Sequence, residues 1–281
     1  MDLITSPTAI CDRSAEVRHR NARIGFVPTM GALHEGHLAL VRQALTECDE
    51  VVCSIFVNPL QFNNTEDLER YPRQLEADRI ALSEVGCNVL FAPDKKDIFA
   101  RFEPRNYDLG GLDRHWEGPS RPGHFQGVVN VVERLFHYVR PDRAYFGEKD
   151  RQQLAILKHV ARTQHWSEVI VPCPTLRADN GLALSSRNAR LSEVERQRAA
   201  VLYRALRTAA EVAFHLPVEA VMERALRTMA EEPEVILDYL GLADVDDLTP
   251  LSQWGERTLA VALVAAQVGP VRLIDNITLV R

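Results

Sequence analysis

Two histidines and two glycines stand together in the segment Pro28 to His37, whose sequence is PTMGALHEGH. A neutral histidine donates one hydrogen bond and a protonated one adds positive charge, so His34 and His37 are suited to hold anionic oxygens. Gly31 and Gly36 can take positive φ and leave room for a ligand to approach the backbone. These residue types at this spacing predict a turn that binds an anion, and phosphate is the expected anion.

This turn is predicted to join a strand to a helix. An apolar run at residues 23–27 precedes it, and apolar residues recur at helical intervals after it, at Leu38, Val41, Leu45 and Cys48. A helix that begins near His37 would offer free N–H groups and the positive end of its dipole to a phosphate. The segment contains neither a P-loop nor a G-x-G-x-x-G pattern. H-x-G-H at such a junction resembles instead the signature of the nucleotidyltransferase superfamily, in which the histidines stabilise the α-phosphate as pyrophosphate departs.

A lysine stands in a similar place in the segment AYFGEKDRQQL. Here a strand is predicted to end at Gly147, and a helix is predicted to begin with the capping pattern Asp150-x-x-Gln153. The helix dipole disfavours a cation at this end, so Lys149 is expected to face a bound anion. Because the carboxyl ends of parallel strands share one edge of a sheet, the lysine is expected at the same edge as the two histidines.

Two neutral amides and one hydroxyl-rich loop also follow predicted strands. Gln61 lies just beyond the run SIFVNP, and Gln153 lies in the helix predicted after the FGEKD segment. An amide can bind hydroxyls and carboxylates without a charge of its own. The loop from Leu184 to Arg187, LSSR, offers two hydroxyls and a guanidinium, which suit polyphosphate oxygens.

The segment WEGPSRPGHFQGV, residues 116–128, is rich in proline and glycine. We predict a shaped, irregular loop here rather than a helix or a strand. Arg121 and His124 could face an anion from this loop, and structural roles for both are equally open.

Strand-like apolar runs alternate with helical patterns from residue 23 to about 174. The strands are predicted in RIGFVPT, EVVCSIFV, CNVLFAP, RAYFG and EVIVP, and the helices over 38–48, 73–85 and 128–139. This alternation predicts an α/β fold, a Rossmann-like parallel sheet with helices on both faces. Ligands bind to such sheets at the carboxyl ends of the strands.

The pattern changes beyond this region to helices followed by strands. A Ser192-x-x-Glu195 capping box opens a long predicted helix to about Phe214, and a second helix is predicted over 218–230. Three strand-like runs follow, EVILDYL, TLAVALVAAQV and VRLIDNITL. We therefore predict two domains, a Rossmann-like domain at residues 1–175 and a smaller α+β domain at residues 176–281.

The composition narrows the class of protein. A net charge of −6 over 281 residues argues against a nucleic-acid partner, which would favour a basic face. No apolar run approaches the ~20 residues of a membrane span, and the first residues lack the apolar core of a signal peptide. The five cysteines are scattered, odd in number and without a C-x-x-C pair. Buried free thiols in the cytoplasm are therefore expected, rather than disulfides or a zinc site.

Several motifs together indicate a family. PTMGALHEGH, SIFVNPLQF with ERYPR, RPGHFQGV, FGEKDRQQL and GLALSSRN follow one another in this order, and RLIDN stands near the end of the sequence. In this order and spacing they resemble the pantoate–β-alanine ligase (pantothenate synthetase) family over nearly the whole chain. Two positions depart from its pattern: Arg151, where the family often has an apolar or aromatic residue, and Leu184, where methionine is frequent.

The resemblance implies an ATP-dependent ligase that uses Mg²⁺ and, as is usual in this family, forms a homodimer. In this family the carboxylate of pantoate attacks the α-phosphate of ATP, which releases pyrophosphate and leaves pantoyl adenylate. The amine of β-alanine then attacks the acyl group, giving pantothenate and AMP. By the same resemblance, residues 1–175 would bind the nucleotide and pantoate, and residues 176–281 would form a lid.

The resemblance also implies roles for individual residues. His37 would be the proton donor, and His34 and Lys149 would assist at the phosphates, as catalytic residues. Gln61 and Gln153 would bind pantoate, and Gln61 would also contact β-alanine. The ATP-binding residues would be Met30, Gly31, Ala32, Leu33, His34, Glu35, Gly36, His37, Gly147, Glu148, Lys149, Asp150, Leu176, Leu184, Ser185, Ser186 and Arg187. No protein ligand for Mg²⁺ is implied, since phosphate oxygens and water would hold the ion.

The residues leave two other functions open. A nucleotidyltransferase that joins ATP or CTP to a phosphorylated substrate would share H-x-G-H. It should have a cationic pocket for the second phosphate, where this sequence has the neutral Gln61 and Gln153. An adenine-nucleotide sensor that had lost its chemistry could lose His37 or Lys149, and both are present.

Overall fold

The computed structural model describes residues 1–63 and 65–281. These residues divide into two compact units. Unit 1 comprises Met1–Asp113, Glu117–Glu148 and Ile156–Pro174, and unit 2 comprises Arg114–Trp116, Lys149–Ala155 and Thr175–Arg281. Each unit has its own sheet.

The regular elements of the described residues follow one another along the chain. The strands are β1 (Asp2–Ile4), β2 (Ile24–Thr29), β3 (Glu50–Ile55), β4 (Val89–Phe91), β5 (Arg143–Gly147), β6 (Val169–Cys173), β7 (Val235–Ala243), β8 (Leu259–Val268) and β9 (Val271–Val280). The helices are α1 (Pro7–His19), α2 (Glu35–Glu47), α3 (Thr65–Glu69), α4 (Leu75–Glu84), α5 (Lys95–Ile98), α6 (Glu117–Ser120), α7 (His124–Val139), α8 (Arg151–Thr163), α9 (Glu193–Ala199), α10 (Val201–Val212) and α11 (Val218–Met229). Short 3-10 helices lie at Pro59–Gln61, Glu148–Asp150 and Ser186–Arg190.

The sheet of unit 1 is parallel, with strand order β1-β4-β3-β2-β5-β6. From β2 the chain proceeds to β3 and β4 on one side, and β5 and β6 then lie on the other side. The strand order therefore reverses between β2 and β5, and such a switch point leaves a crevice at the carboxyl ends of the strands. The segment PTMGALHEGH covers the end of β2 and continues directly from it.

Helices cover both faces of this sheet. Because successive side chains of a strand point to opposite faces, Phe26 and Val27 of β2 lie on different sides. Val27 packs in one apolar cluster with Val51 of β3 and Val41 of α2. Phe26 contacts Phe136 of α7, with ring centroids 6.1 Å apart. The predicted Rossmann-like α/β architecture is confirmed.

Unit 2 contains the predicted smaller α+β structure. Its sheet is antiparallel, in the order β7-β8-β9. α10 packs against β8, β9 and α11, and this core is made of small and branched apolar residues such as Ala205, Leu206, Val221 and Val264. The capping box forms as predicted, because Ser192 Oγ accepts from the Glu195 N–H and Glu195 accepts from the Ser192 N–H.

The helix predicted from Ser192 to about Phe214 is interrupted. α9 ends at Ala199 and α10 begins at Val201, and the N–H of Ala200 donates to the carbonyls of Gln197 and Arg198. These shorter-range bonds tighten the helix locally, as at many helix ends. The predicted single helix is therefore wrong at this point.

The sequence patterns also missed the first strand and helix. β1 has only three residues, too few for alternation to be recognised, and it pairs with β4. α1 begins at a Ser6 N-cap followed by Pro7, and it buries only Ile10, Ser14 and Val17. So narrow an apolar face gives a weak helical period.

The segment predicted as an irregular loop at 116–128 contains two helix starts. α6 occupies Glu117–Ser120, and α7 begins at His124, four residues before the predicted start at Val128. Gly123 precedes α7 with φ of 77°, a conformation that glycine adopts without strain. The prolines and glycines of this segment therefore separate two helices rather than exclude them.

The five cysteines are free thiols, and Cys53, Cys87 and Cys173 are buried. Burial raises the pKa of the Cys87 thiol to about 11, so this thiol stays protonated at neutral pH. Among the described residues, none of the helices has both the length and the apolar character needed to span a bilayer.

Candidate active site

The two histidines of H-x-G-H cap the helix that follows them. His34 is the N-cap of α2, and its Nδ1 accepts from the Gly36 N–H at 3.1 Å. His37 is the third residue of the helix, and its Nδ1 accepts from the His34 N–H at 3.4 Å. The rings lie together, with centroids 4.1 Å apart. This is a capping box in which imidazoles replace the usual hydroxyl and carboxylate.

The capping box fixes the tautomer of both rings. Because each Nδ1 accepts a backbone N–H, the proton of the neutral ring must be on Nε2. Nε2–H is then the donor with which His34 or His37 can hold an anionic oxygen. The expectation of a helix start near His37 with free N–H groups needs correction, since α2 begins at Glu35 and His34 accepts the Gly36 N–H.

The backbone before His34 turns through two residues with positive φ. Gly31 has φ of 81°, as predicted, but the second such residue is Ala32 at 52°, not Gly36, which lies in the first turn of α2. The left-handed conformation is unfavourable for Ala32, because its Cβ lies close to the following carbonyl oxygen. Asp78 holds this turn, because its carboxylate accepts from the Ala32 N–H at 2.9 Å and the Leu33 N–H at 2.8 Å.

Asp78 was not among the residues predicted to form the site. It lies on α4 and is only 2% exposed, on the same face as Leu82. Burial raises the pKa of this carboxyl, and the two N–H donors oppose that rise. An acid four residues before a leucine shares its helix face, but this spacing alone does not distinguish a buried acid from a solvated one.

Gln61 is oriented by a neighbouring amide. Its Oε1 accepts from Asn58 Nδ2 at 3.0 Å, and its Nε2 lies 3.1 Å from Met30 Sδ. Asn58 is buried and also donates to the carbonyl of Gly127 at 3.1 Å. The structure therefore brings Gln61 beside the PTMGALHEGH segment. Like Asp78, Asn58 belongs to the candidate site but was not predicted there, since the sequence indicated only a turn at Asn58-Pro59.

Helix α7 and Arg121, which precedes it, hold the backbone of the Pro59–Gln61 turn. His124 Nδ1 lies 2.8 Å from the carbonyl oxygen of Gln61, and Arg121 Nη2 lies 3.5 Å from it. A side chain at Gly127 would place its Cβ 2.2 Å from the carbonyl oxygen of Leu60, so only glycine allows this close approach. Of the two roles left open for His124 and Arg121, these contacts favour the structural one.

β5 ends at Gly147, beside the end of β2. Glu148 is the last residue of the Glu117–Glu148 segment of unit 1. Lys149 is the first residue of the Lys149–Ala155 segment of unit 2. Its side chain is 18% exposed, and its Nζ lies 3.8 Å from Asp150 Oδ1. α8 begins immediately after Asp150, and Gln153 lies in its first turn. The predicted strand–turn–helix order around Lys149 is confirmed.

The segment with Leu176 and Leu184 is a turn closed by backbone hydrogen bonds within unit 2. The Leu184 N–H donates to the Leu176 carbonyl at 2.9 Å, and Gly181 takes φ of 91° at the tip of the turn. Ser185 then caps the 3-10 helix Ser186–Arg190 by accepting from the Arg187 N–H. Ser185, Ser186 and Arg187 thus lie at the start of this short helix, and their role at a phosphate stays a prediction.

The predicted site residues fall into two groups. The first belongs to unit 1 and comprises Met30–His37, Gln61, Gly147 and Glu148. The second belongs to unit 2 and comprises Lys149, Asp150, Gln153, Leu176, Leu184, Ser185, Ser186 and Arg187. A parallel sheet whose strand order reverses beside paired histidines at a helix start is the architecture of an α/β enzyme with a ligand site at the carboxyl ends of its strands.

Comparison with known proteins identifies the family within this class. A profile of the family described as Pantoate-beta-alanine ligase matches residues 2–278. The chain belongs to this family.

Three relatives illustrate the similarity. The pantothenate synthetase of Rubrobacter xylanophilus is 48% identical in an alignment of 286 positions, which covers 99% of this chain and 98% of that protein. A crystal structure of pantothenate synthetase from Thermus thermophilus matches with a TM-score of 0.90 and 45% identity, covering 99% of both chains. A crystal structure of pantoate–β-alanine ligase from Francisella tularensis, complexed with beta-gamma ATP and β-alanine, has a TM-score of 0.81 and 34% identity over 99% of this chain and 97% of that chain. The chain is accordingly a ligase that condenses pantoate with β-alanine using ATP.

Proposed function

We propose that the chain makes pantothenate in two steps at the residues described above. In the first step a carboxylate oxygen of pantoate attacks the α-phosphorus of ATP, and pyrophosphate leaves. In the second step the amine of β-alanine attacks the acyl carbon of pantoyl adenylate, and AMP leaves. Substrate atoms make and break every bond, so the protein has to align the reactants and stabilise the charge that develops.

The capping box of His34 and His37 is the observation that carries this proposal. It presents Nε2–H donors at the start of α2, where the helix dipole also favours negative charge. We assign to His37 the donor that stabilises the α-phosphate as pyrophosphate departs, with His34 assisting at the phosphates. The turn before them stays fixed through Asp78, so the donors need little rearrangement during the reaction.

Gln61 and Gln153 are assigned to pantoate, and Gln61 also to β-alanine. A neutral amide can orient a carboxylate by hydrogen bonding without neutralising its charge. The carboxylate therefore remains a better nucleophile than one held by a lysine or an arginine. Asn58 supports this role by fixing the side-chain amide of Gln61.

The remaining residues are assigned to ATP. Lys149, Ser185, Ser186 and Arg187 would bind its phosphates, because an ammonium, hydroxyls and a guanidinium are strong partners of anionic oxygens. Leu176 would contact the adenine or its surroundings. The other ATP-binding residues of this proposal are Met30, Gly31, Ala32, Leu33, Glu35, Gly36, Gly147, Glu148, Asp150 and Leu184.

We also propose that the chain uses Mg²⁺ bound to ATP, and acts in the cytoplasm as a homodimer. The groups assigned to the phosphates are imidazole, ammonium, hydroxyl and guanidinium, whereas Mg²⁺ prefers carboxylate, phosphate and water oxygens. The ion therefore fits on the phosphate oxygens and water, where it would neutralise part of their charge. The dimer is supported by the family resemblance alone, and the compartment is supported by the five free cysteines.

The direct test of this function is AMP formation from ATP with and without pantoate and β-alanine. The proposal predicts AMP and pyrophosphate in equal amounts when all three substrates are present. Without β-alanine it predicts a single turnover that leaves pantoyl adenylate on the enzyme. Pyrophosphate release without AMP, with a phosphorylated acceptor, would indicate a nucleotidyltransferase, and ATP binding without turnover would indicate a sensor.

A further inference from the structure

The RLIDN segment near the end of the chain has buried polar residues that the proposed function does not use. Asp275 and Asn276 lie on β9 and are 4% and 6% exposed. Buried polar side chains are costly unless hydrogen bonds satisfy them, so their partners show what they hold in place.

Asp275 holds the turn that leads to the Ser-Ser-Arg segment. Its carboxylate accepts two hydrogen bonds from the guanidinium of Arg177, at 2.5 and 3.0 Å, and both side chains are largely buried. Arg177 Nη1 also donates to the carbonyl of Gly181 at 3.2 Å, and the guanidinium lies 3.8 Å from the centre of the Tyr203 ring. A planar guanidinium makes all these contacts at once, which a lysine could not.

Asn276 holds the backbone of the lysine assigned to the phosphates. Its Nδ2 donates to the carbonyl oxygen of Lys149 at 2.9 Å. Its own main chain is fixed at both ends, because its N–H donates to Asp275 Oδ1 at 2.8 Å and its carbonyl accepts from Arg177 at 3.2 Å. The two neighbouring residues of β9 therefore hold two separate segments of unit 2.

We propose that Asp275 and Asn276 are positioning residues that set where Lys149 and the Ser185–Arg187 segment meet ATP. This inference rests on the proposed function, which assigns those segments to the phosphates. Asn276 acts through the carbonyl of Lys149, and Asp275 acts through Arg177 and the carbonyl of Gly181. Both act from a strand of the antiparallel sheet, a rigid element that keeps each segment in place before the nucleotide binds.

A double-mutant cycle separates positioning from a contribution to stability alone. Asn276→Asp keeps the side-chain shape but replaces the donor with an oxygen that repels the Lys149 carbonyl. We expect it to slow adenylation about 10- to 100-fold, the range for a misplaced catalytic group. In a Lys149→Ala background the same substitution should slow it less than about twofold, because residues that act together are not additive.

The cycle is measured in pyrophosphate release and in the dissociation constant of a non-hydrolysable ATP analogue. Asn276→Ala, which removes the donor without adding repulsion, provides a second variant if the aspartate variant unfolds. Arg272→Ala is the control, because Arg272 lies on the same strand in an exposed ion pair with Asp238 at 2.6 Å. It should leave both quantities unchanged.

A second double-mutant cycle tests Asp275, with Asp275→Asn made alone and in combination with Arg187→Ala. The asparagine variant should weaken binding of the analogue in the wild-type background and have little further effect once Arg187 is removed. In either cycle, an equal loss of adenylation rate or of analogue binding in the wild-type and the alanine backgrounds would overturn the positioning role. A wild-type chain that binds the analogue but makes no AMP would contradict the proposed function instead, and the coupling would then be read from the dissociation constants.

Discussion

His37 has two separable tasks at the start of α2. Its Nδ1 caps the His34 N–H, and its Nε2–H is the donor assigned to the α-phosphate. Glutamine is a common residue at this position of a capping box, since its amide oxygen can accept the same N–H. The two tasks can therefore be tested with two different substitutions.

We expect His37→Ala to slow adenylation by at least ~10²-fold, the scale for losing one donor to a developing charge. His37→Gln keeps the cap and retains an amide N–H donor, so it should slow adenylation less than the alanine variant. The KM values for ATP and pantoate should change far less. Only the alanine variant should also lower the thermal stability, because only it loses the cap. Pre-steady-state pyrophosphate release measures the first effect, and near-normal turnover of the alanine variant would exclude His37 as the donor.

Asp78 gives a prediction about pH. Burial raises the pKa of Asp78 above the ordinary aspartate value of 3.8, so the folded state binds this proton more tightly than the unfolded state. The contribution of this group to stability therefore falls as the pH rises through the window above 3.8. Asp78→Asn does not titrate and offers one acceptor oxygen in place of two, at a cost of about 1–3 kcal/mol.

The difference in unfolding free energy between wild type and Asp78→Asn should accordingly shrink as the pH rises from about 4 to about 7. Urea denaturation across this range measures it. Glu84→Gln is the control, because Glu84 is an exposed acid at the end of the same helix. A difference that grows with pH would mean that the two N–H donors outweigh burial.

Sequence patterns identify residues by type and spacing, and they select groups whose chemistry would suit a substrate. His34, His37, Gln61 and Lys149 were named because their chemistry suits phosphates and carboxylates. Asp78 was missed because an acid on a helix is usually solvated, and only the fold shows that it faces two buried N–H groups. The roles of the named residues stay predictions until they are tested.

At the scale of elements, Gly127 shows how a helix fixes a turn of the site. It lies on α7 against the carbonyl oxygen of Leu60, where a Cβ would come within 2.2 Å. Gly127→Ala must therefore push the Pro59–Gln61 turn away, at a cost of about 1–3 kcal/mol for overpacking. We expect a raised KM for pantoate, because Gln61 moves with the turn.

Steady-state kinetics and urea denaturation of Gly127→Ala check both effects. His137→Ala is the matched control, since His137 is an exposed residue of the same helix. An unchanged KM for pantoate with lowered stability would separate the turn from substrate binding.

Elements were predictable where apolar residues repeat over several turns or strands. Each strand predicted after residue 23 is present within a few residues, because these runs are apolar and rich in branched side chains. β1 and the start of α7 were not predictable in this way. β1 is too short to show a period, and the start of α7 is set by Gly123 and by packing against a distant turn.

At the scale of the molecule, strand–helix alternation predicted the parallel sheet but not the order of its strands. The order matters because it places the ends of β2 and β5 side by side at the switch point. Several pairings of five strands would satisfy the same pattern, and long-range packing selects one. The division into a nucleotide- and pantoate-binding domain and a lid stays a prediction.

The central claim is that pantoate is activated as an adenylate, and the carboxylate oxygens of pantoate can report on it. If one of them attacks the α-phosphate, it becomes the bridging oxygen of the acyl adenylate and leaves with AMP when β-alanine reacts. Pantoate labelled with heavy oxygen in its carboxylate should therefore give labelled AMP, measured by mass spectrometry. Label in inorganic phosphate together with ADP would show activation through an acyl phosphate and would contradict the mechanism.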